Sequence, residues 1–116
     1  DPVMYEKITK INEFHSSLFA YYLDRLDATP DGDGSLLDNV MLLYGAGMSD
    51  SNQHSNSGLP LLLFGGAAGA IRGGRHIRYP ENTPISNLHL TMLDKMGVPV
   101  DRLGNSTGPL ELLSQV

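Results

Sequence analysis

The sequence contains no cysteine and no tryptophan. Without cysteine there can be no disulfide, no thiolate nucleophile and no cysteine-held zinc. The absence leaves the compartment open. Long hydrophobic runs are missing too. Unbroken apolar runs are only a few residues long, Leu61 to Phe64 for instance, far short of the roughly 20 apolar residues that a bilayer-spanning helix needs, so a transmembrane protein is not expected. Positive charge is scarce. There are 8 Lys plus Arg against 13 Asp plus Glu, for a formal net charge of −5. That balance argues against a broad duplex-binding surface, and no nucleic-acid partner is expected. With 116 residues, 41% hydrophobic and 18% charged, the chain has the size and composition of one ordinary folded domain. Its first residue is Asp1 rather than Met. The expectation is a chain that was processed, cloned as a piece or taken from a longer polypeptide, with part of any active site outside it.

No internal repeat or low-complexity tract is present. Residues 3–27 read as one long helix. Met4, Ile8, Ile11, His15, Leu18, Tyr22 and Leu26 step by three or four and form a single stripe, widened by Phe14, Phe19 and Leu23. Asp1 suits the cap and Pro2 the first turn. Thr29 precedes Pro30 and is pushed out of helical conformation, so the helix should stop near Ala28. Residues 29–35 then read as a loop. Val40 to Tyr44 and Leu59 to Phe64 are short apolar runs bounded by turn residues, the pattern of strands buried on both faces in a parallel sheet. Ala70 to Tyr79 reads as a hairpin arm turning at Gly73-Gly74. A last helix begins near Pro84 or Ser86, capped by Asn82 or Thr83. Leu88, Met92, Leu93 and Met96 form its buried face, and Gly97 closes it. Residues 98–116 form a loop-rich tail with an apolar patch at Leu110 to Leu113. The fold class is α/β: part of a three-layer sheet, with a long N-terminal helix, two buried strands, a hairpin arm and a C-terminal helix. Residues 1–116 form a single domain, or the C-terminal fragment of a larger one.

A polar loop leaves the carboxyl end of the first strand, and ligands of open α/β sheets bind at such ends. Within it, Asp50, Asn52 and His54 offer carboxylate oxygen, amide oxygen and imidazole nitrogen inside five residues. Together those donors suit a hard or borderline divalent cation such as Zn, Mn or Ca. The plain alternative is a surface loop whose Asp, Asn and Ser side chains satisfy turn backbone groups.

The stretch Leu37-Asp38-Asn39-Val40-Met41-Leu42-Leu43-Tyr44-Gly45, followed by Gly47-Met48-Ser49-Asp50, resembles the C-terminal portion of a secreted bacterial family of unknown function, the HXXSHH family. Other pieces fit in order: Ile11-Asn12 with His15, Ala28-Thr29-Pro30, Leu59-Pro60-Leu61-Leu62, Gly74-Arg75-His76, Leu93 to Pro99, and Ser106-Thr107-Gly108. The likeness covers nearly the whole chain. The H-x-x-S-H-H run that names the family does not occur here. "L-D-N", an apolar strand and "S-D" are similar, more distantly, to the approach to the metal loop in the alkaline-phosphatase and sulfatase-like superfamily. That likeness implies Asp50 as a metal ligand and a nucleophile upstream of this chain. His54 matches more loosely, because the superfamily commonly places its second ligand directly after the Asp, where this chain has Ser51. The resemblance also implies a secreted or periplasmic protein, and a partner in the missing N-terminal portion of the same protein.

Arg72, Arg75, His76 and Arg78 concentrate positive charge in an acidic chain. Guanidinium groups suit phosphate, sulfate or carboxylate. In an extended arm His76 and Arg78 share one face, and Arg75, Ile77 and Tyr79 the other. The plain alternative is a solvated arm. His15 and His89 read as packed histidines. Asp31-Gly32-Asp33-Gly34-Ser35 lacks the glycine and the closing glutamate of a calcium loop. Gly65, Gly66 and Gly69 do not have dinucleotide-binding spacing.

Two functions follow as expectations. One is a metal-dependent hydrolase-like protein acting on a small anionic ester, a phosphate or sulfate, and catalytically incomplete in this chain. The other is a non-catalytic extracellular binding or structural module on the same scaffold. Either way, apolar sheet surface should be exposed and drive self-association.

Overall fold

The structure is a computed structural model and describes residues 1–110. It is mixed α/β, with a long N-terminal helix and two small antiparallel two-stranded sheets. The chain divides into two compact units, Asp1–Leu37 and a second beginning at Asp38.

In the first unit, α1 (Pro2–Asp27) forms as its sequence predicts. Asp1 Oδ1 accepts from Val3 N at 3.0 Å, and Pro2 occupies the first helical position, where its missing N–H costs nothing. Ala28 caps the other end, donating to Asp24 O at 3.0 Å. Residues 29–35, expected as a loop, contain a minimal hairpin. β1 (Pro30–Asp31) pairs with β2 (Gly34–Ser35), Pro30 opposite Ser35. Asp31-Gly32-Asp33-Gly34 is a strong two-residue hairpin signal, and here it outweighed the general loop composition. Two pairs of residues cannot cover a helix about 39 Å long. No residue of α1 is buried, and His15, expected to be packed, is exposed.

The short α2 (Leu36–Asn39) spans the boundary, and the second unit continues into β3 (Leu42–Gly45), which pairs with β4 (Leu61–Phe64). The register sets Leu42 opposite Phe64 and Gly45 opposite Leu61. Both apolar runs are strands, but they are antiparallel and half-buried, not parallel and buried on both faces. The connection explains this. A parallel pair needs a crossover, usually a helix, and segment 46–60 contains none, so the chain folds back on itself. After β4 the backbone turns tightly at Ala67–Gly69. Gly66 passes so close to Asp38 that a Cβ there would sit 2.5 Å from the Asp38 carbonyl oxygen. Ala67 N then donates to Val40 O at 3.0 Å, pinning this turn to the chain entering β3. Ala67 and Ala68 adopt left-handed conformations, φ 47° and 53°, a strain held by that attachment.

Residues 70–79 form no hairpin. Its two arms would set arginines side by side. Instead Arg75 Nε folds back onto Arg72 O at 3.0 Å, and no strand follows. The expected alternation survives in part: Ile77 and Tyr79 are half-buried, His76 and Arg78 exposed.

α3 (Ile85–Lys95) starts at Pro84, not on an Asn82 or Thr83 side-chain cap. The Thr83 hydroxyl is engaged elsewhere, donating to Pro80 O at 2.7 Å. The C-terminus follows expectation. Val98 N reaches Leu93 O and Gly97 N reaches Asp94 O, a Schellman closure that places Gly97 at φ 76°. The buried face differs from the expected one. Ser86, Asn87, Leu88, Leu90 and Thr91 are buried, Met92 and Leu93 half-buried, and Met96 exposed. The helix is rotated because its polar residues grip the tail. Ser86 Oγ donates to Asn105 Oδ1 at 2.7 Å, and Asn87 Nδ2 to Thr107 Oγ1 at 3.0 Å. Thr107 N returns a bond to Asn87 Oδ1 at 2.8 Å, and Leu110 N donates to Thr91 Oγ1 at 2.7 Å. Lys95 Nζ binds Ala70 O at 2.8 Å and ties α3 to the turn after β4. Leu110 is buried with Ile71, Leu88 and Leu90. The rest of the expected patch, Leu112 and Leu113, lies outside the described residues.

Thr91 is 1% exposed and donates to Asn87 O at 2.9 Å while accepting from Leu110 N. Thr91→Val keeps the shape but leaves the Leu110 amide unsatisfied. It should cost about 1–3 kcal/mol in urea unfolding and speed hydrogen exchange at Leu110. An unchanged midpoint with unchanged exchange would show that the tail does not depend on this hydroxyl.

Candidate functional site

β3 ends at Gly45, and the loop that follows closes on itself. Ser49 N donates to Ser55 O at 2.9 Å, and Ser55 N returns to Asp50 O at 3.0 Å. Asp50, Asn52 and His54 all lie inside this closed loop, and all three are exposed. The Asp50 carboxylate organises it. Its Oδ1 accepts from Asn52 N at 2.9 Å and from Gln53 N at 3.1 Å. This is an Asx-type turn, the plain alternative that the sequence left open. His54 holds φ 55°, a left-handed conformation uncommon for non-glycine residues but one that histidine adopts more readily than most. The donor set suits a divalent cation chemically, since carboxylate, amide and imidazole can share a zinc or manganese ion. Among the described residues no three His, Cys, Asp or Glu side chains gather as a metal site. The loop itself supplies two of those types, with Asn52 as a third donor.

Arg72, Arg75, His76 and Arg78 are exposed along the segment after the β4 turn. The Arg75 Nε donates to the main-chain oxygen of Arg72 at 3.0 Å, a local turn contact that holds the Arg75 side chain against its own backbone. Tyr79, two residues beyond Ile77, carries the clearest electrostatic perturbation. Its hydroxyl oxygen is buried with no hydrogen-bond partner among the described residues. Burial pushes the phenol above its ordinary 10.0, and the Arg75 charge partly offsets that rise. Sequence reasoning missed this tyrosine as a special position. It also missed the Ser86, Asn87 and Thr91 grip. The available signal was Asn87 and Thr91 four residues apart, interrupting an otherwise apolar helix face.

No protein family, curated protein or solved structure matches the chain. No helix among the described residues is long and apolar enough to cross a membrane.

Two outcomes follow from this geometry. Asp50→Ala should release the turn, seen as faster exchange of the Asn52 and Gln53 amides, while Asp50→Asn keeps an acceptor and most of the protection. Equal protection in wild type and Asp50→Ala would show that the carboxylate does not hold the loop. Because the folded state favours the protonated Tyr79 phenol, its contribution is fully present below pH 10 and is lost as pH rises through the elevated folded value. Tyr79→Phe should remove that alkaline loss of stability. At neutral pH it should be neutral or mildly stabilising, since it deletes an unsatisfied buried hydroxyl. Marked destabilisation at pH 7 would mean that the hydroxyl has a partner.

Proposed function

We propose that this chain is the C-terminal part of an exported protein of the hydrolase-like kind, acting with a divalent metal on a small phosphate or sulfate ester. The observation that supports this reading most is the closed loop after β3, which presents Asp50, Asn52 and His54 together on the surface. A metal held there would act as a Lewis acid on an ester oxygen. Arg72, Arg75, His76 and Arg78 supply the cationic groups for the anion, all four exposed along one short segment. The likeness to the HXXSHH family and to alkaline-phosphatase-like enzymes gives the same reading, including a secreted or periplasmic location. On that reading the β3–β4 pair is part of a larger three-layer sheet. Two strands alone are marginal in water. The N-terminal portion of the same protein would supply further strands and the nucleophile.

A specific observation favours a second reading. Asp50 Oδ1 already accepts two backbone N–H groups. A carboxylate spent on its own turn suits a scaffold that has kept its shape without metal chemistry. On that reading the protein is a non-catalytic extracellular binding or structural module.

Calorimetric titration with zinc, manganese and calcium separates the two. The hydrolase reading expects saturable binding of one of these ions, abolished in Asp50→Ala and weakened about tenfold in His54→Ala, a loss of about 1.4 kcal/mol. No binding, or binding indifferent to Asp50, leaves the module reading. Replacing Arg75 and Arg78 together by Ala should weaken inorganic phosphate binding by about tenfold or more, with a marked salt dependence in the wild type.

A further inference from the structure

Residues 72–82 join two anchored ends within the second unit and form neither helix nor strand. On one side Ile71 is buried, and its N–H donates to Gly66 O at 3.1 Å. On the other, Thr83 N donates to Pro80 O at 3.2 Å and α3 follows. Between these anchors, among the described residues, no backbone N–H from 72 to 82 donates to a backbone carbonyl. The five consecutive residues 72–76 are exposed. A Cβ added at Gly73 or Gly74 would meet no atom within 4 Å, so the chain runs here through open space. Three of the five arginines of the sequence, Arg72, Arg75 and Arg78, stand in this stretch.

We infer that this stretch is an endoproteolytic cleavage site, cut at the Arg75–His76 bond by an arginine-directed serine protease. An endoprotease takes its substrate extended. It pairs the backbone on both sides of the scissile bond as an added strand would, and it draws the preceding side chain into a pocket, with an aspartate at its base where a cationic side chain is selected. A segment that is already open meets those needs at little cost, whereas a helix must first unfold locally. In the hydrolysis, water gives its hydroxyl to the Arg75 carbonyl carbon and a proton to the His76 nitrogen as the bond between them breaks. The centre of the stretch is the most accessible bond. Arg72 follows buried Ile71 and Ala70, whose carbonyl holds Lys95 Nζ at 2.8 Å. Arg78 stands between Ile77 and Tyr79, both half-buried. The Arg75 side chain has to leave Arg72 O, an exposed contact three residues away that is cheaper to break than a turn of helix. The other basic residues are less open. Lys7, Lys10 and Arg25 lie in α1 and Lys95 in α3. Arg102 precedes a bonded turn, in which Leu103 N donates to Ser106 Oγ and Ser106 N to Leu103 O, both at 2.9 Å. After the cut, the Lys95–Ala70 bond and the buried Ile71, Leu88, Leu90 and Leu110 still join the two pieces. Cleavage needs neither a bound metal nor a bound anion, so it is independent of the ester-hydrolase reading.

The full 116-residue chain is treated with a trace of an arginine-specific serine protease and followed by intact mass. The first products should be residues 1–75 and 76–116, formed about tenfold or more faster than any product of a cut after Arg25 or Arg102. A first cut at Arg25 or Arg102 overturns the inference, and one at Arg72 or Arg78 overturns the choice of bond. Arg75→Gln, at an exposed position, should abolish the 1–75 product and slow the loss of intact chain about tenfold. Loss of intact chain at the wild-type rate overturns the assignment to Arg75. A urea series separates an open site from cleavage through unfolding, with each rate normalised to that of a free peptide of residues 70–81. The normalised rate should stay flat below the unfolding transition, because the folded state already presents the bond. A rate that climbs with the unfolded fraction overturns the inference.

Discussion

The hydroxyl of Thr91 holds the second unit together. It donates back to Asn87 O along the helix and accepts the amide of Leu110 from the tail. Asn87 uses both ends of its side-chain amide on Thr107, and Ser86 reaches Asn105. Only four apolar side chains are buried among the described residues. With so little apolar burial the position of α3 cannot be fixed by packing alone. A polar grip of this kind is directional and leaves few alternatives, because each buried donor that lost its partner would cost more than the bond itself contributes. Leu110 reaches the small core only because its amide is held. The Lys95 bond to Ala70 then carries the same constraint to the turn after β4, and Ala67 carries it to the start of β3.

This explains which parts of the fold were legible in the sequence. α1 was legible to within a residue because its signals are local: an Asp-Pro start, a threefold and fourfold apolar stripe, and a Thr-Pro stop. The Schellman end of α3 at Gly97 was legible for the same reason. Strand identity was legible for Leu42–Gly45 and Leu61–Phe64, but not their direction. An apolar run reports burial, whereas pairing depends on what the intervening residues can do. The face of α3 was not legible. Asn87 and Thr91 look like interruptions of an apolar stripe until a tail some twenty residues away is placed against them. The arm at 70–79 failed in another way. Gly73-Gly74 marks a turn, but a turn makes a hairpin only if its flanks prefer each other, and here both flanks carry arginine.

α1 poses the opposite problem. Its ends are well capped, yet most helical stability in proteins comes from packing an apolar face and not from propensity. The hairpin at Pro30–Ser35 contributes two pairs of residues and buries Ser35, no more. Within its own unit, a helix with this much aromatic and branched surface therefore finds little to cover it. The same sequence pattern that predicts the helix so well also states that the helix alone is an incomplete structure.

The candidate site turns on one carboxylate with two uses. Asp50 was singled out as a metal donor, and the structure places its Oδ1 on the amides of Asn52 and Gln53. The two uses are not exclusive in principle, because an ionised carboxylate has about four acceptor positions. They compete in orientation. Two backbone donors on one oxygen fix the plane of the group, and a cation must approach from the sector that remains. That restriction helps a metal only if Asn52 and His54 face the same sector, and His54 is the residue whose backbone is held in the left-handed region. The left-handed backbone at His54 redirects its side chain relative to an ordinary loop residue. It therefore sets whether the imidazole converges on the carboxylate or diverges from it, which makes the turn geometry and the metal question one physical problem.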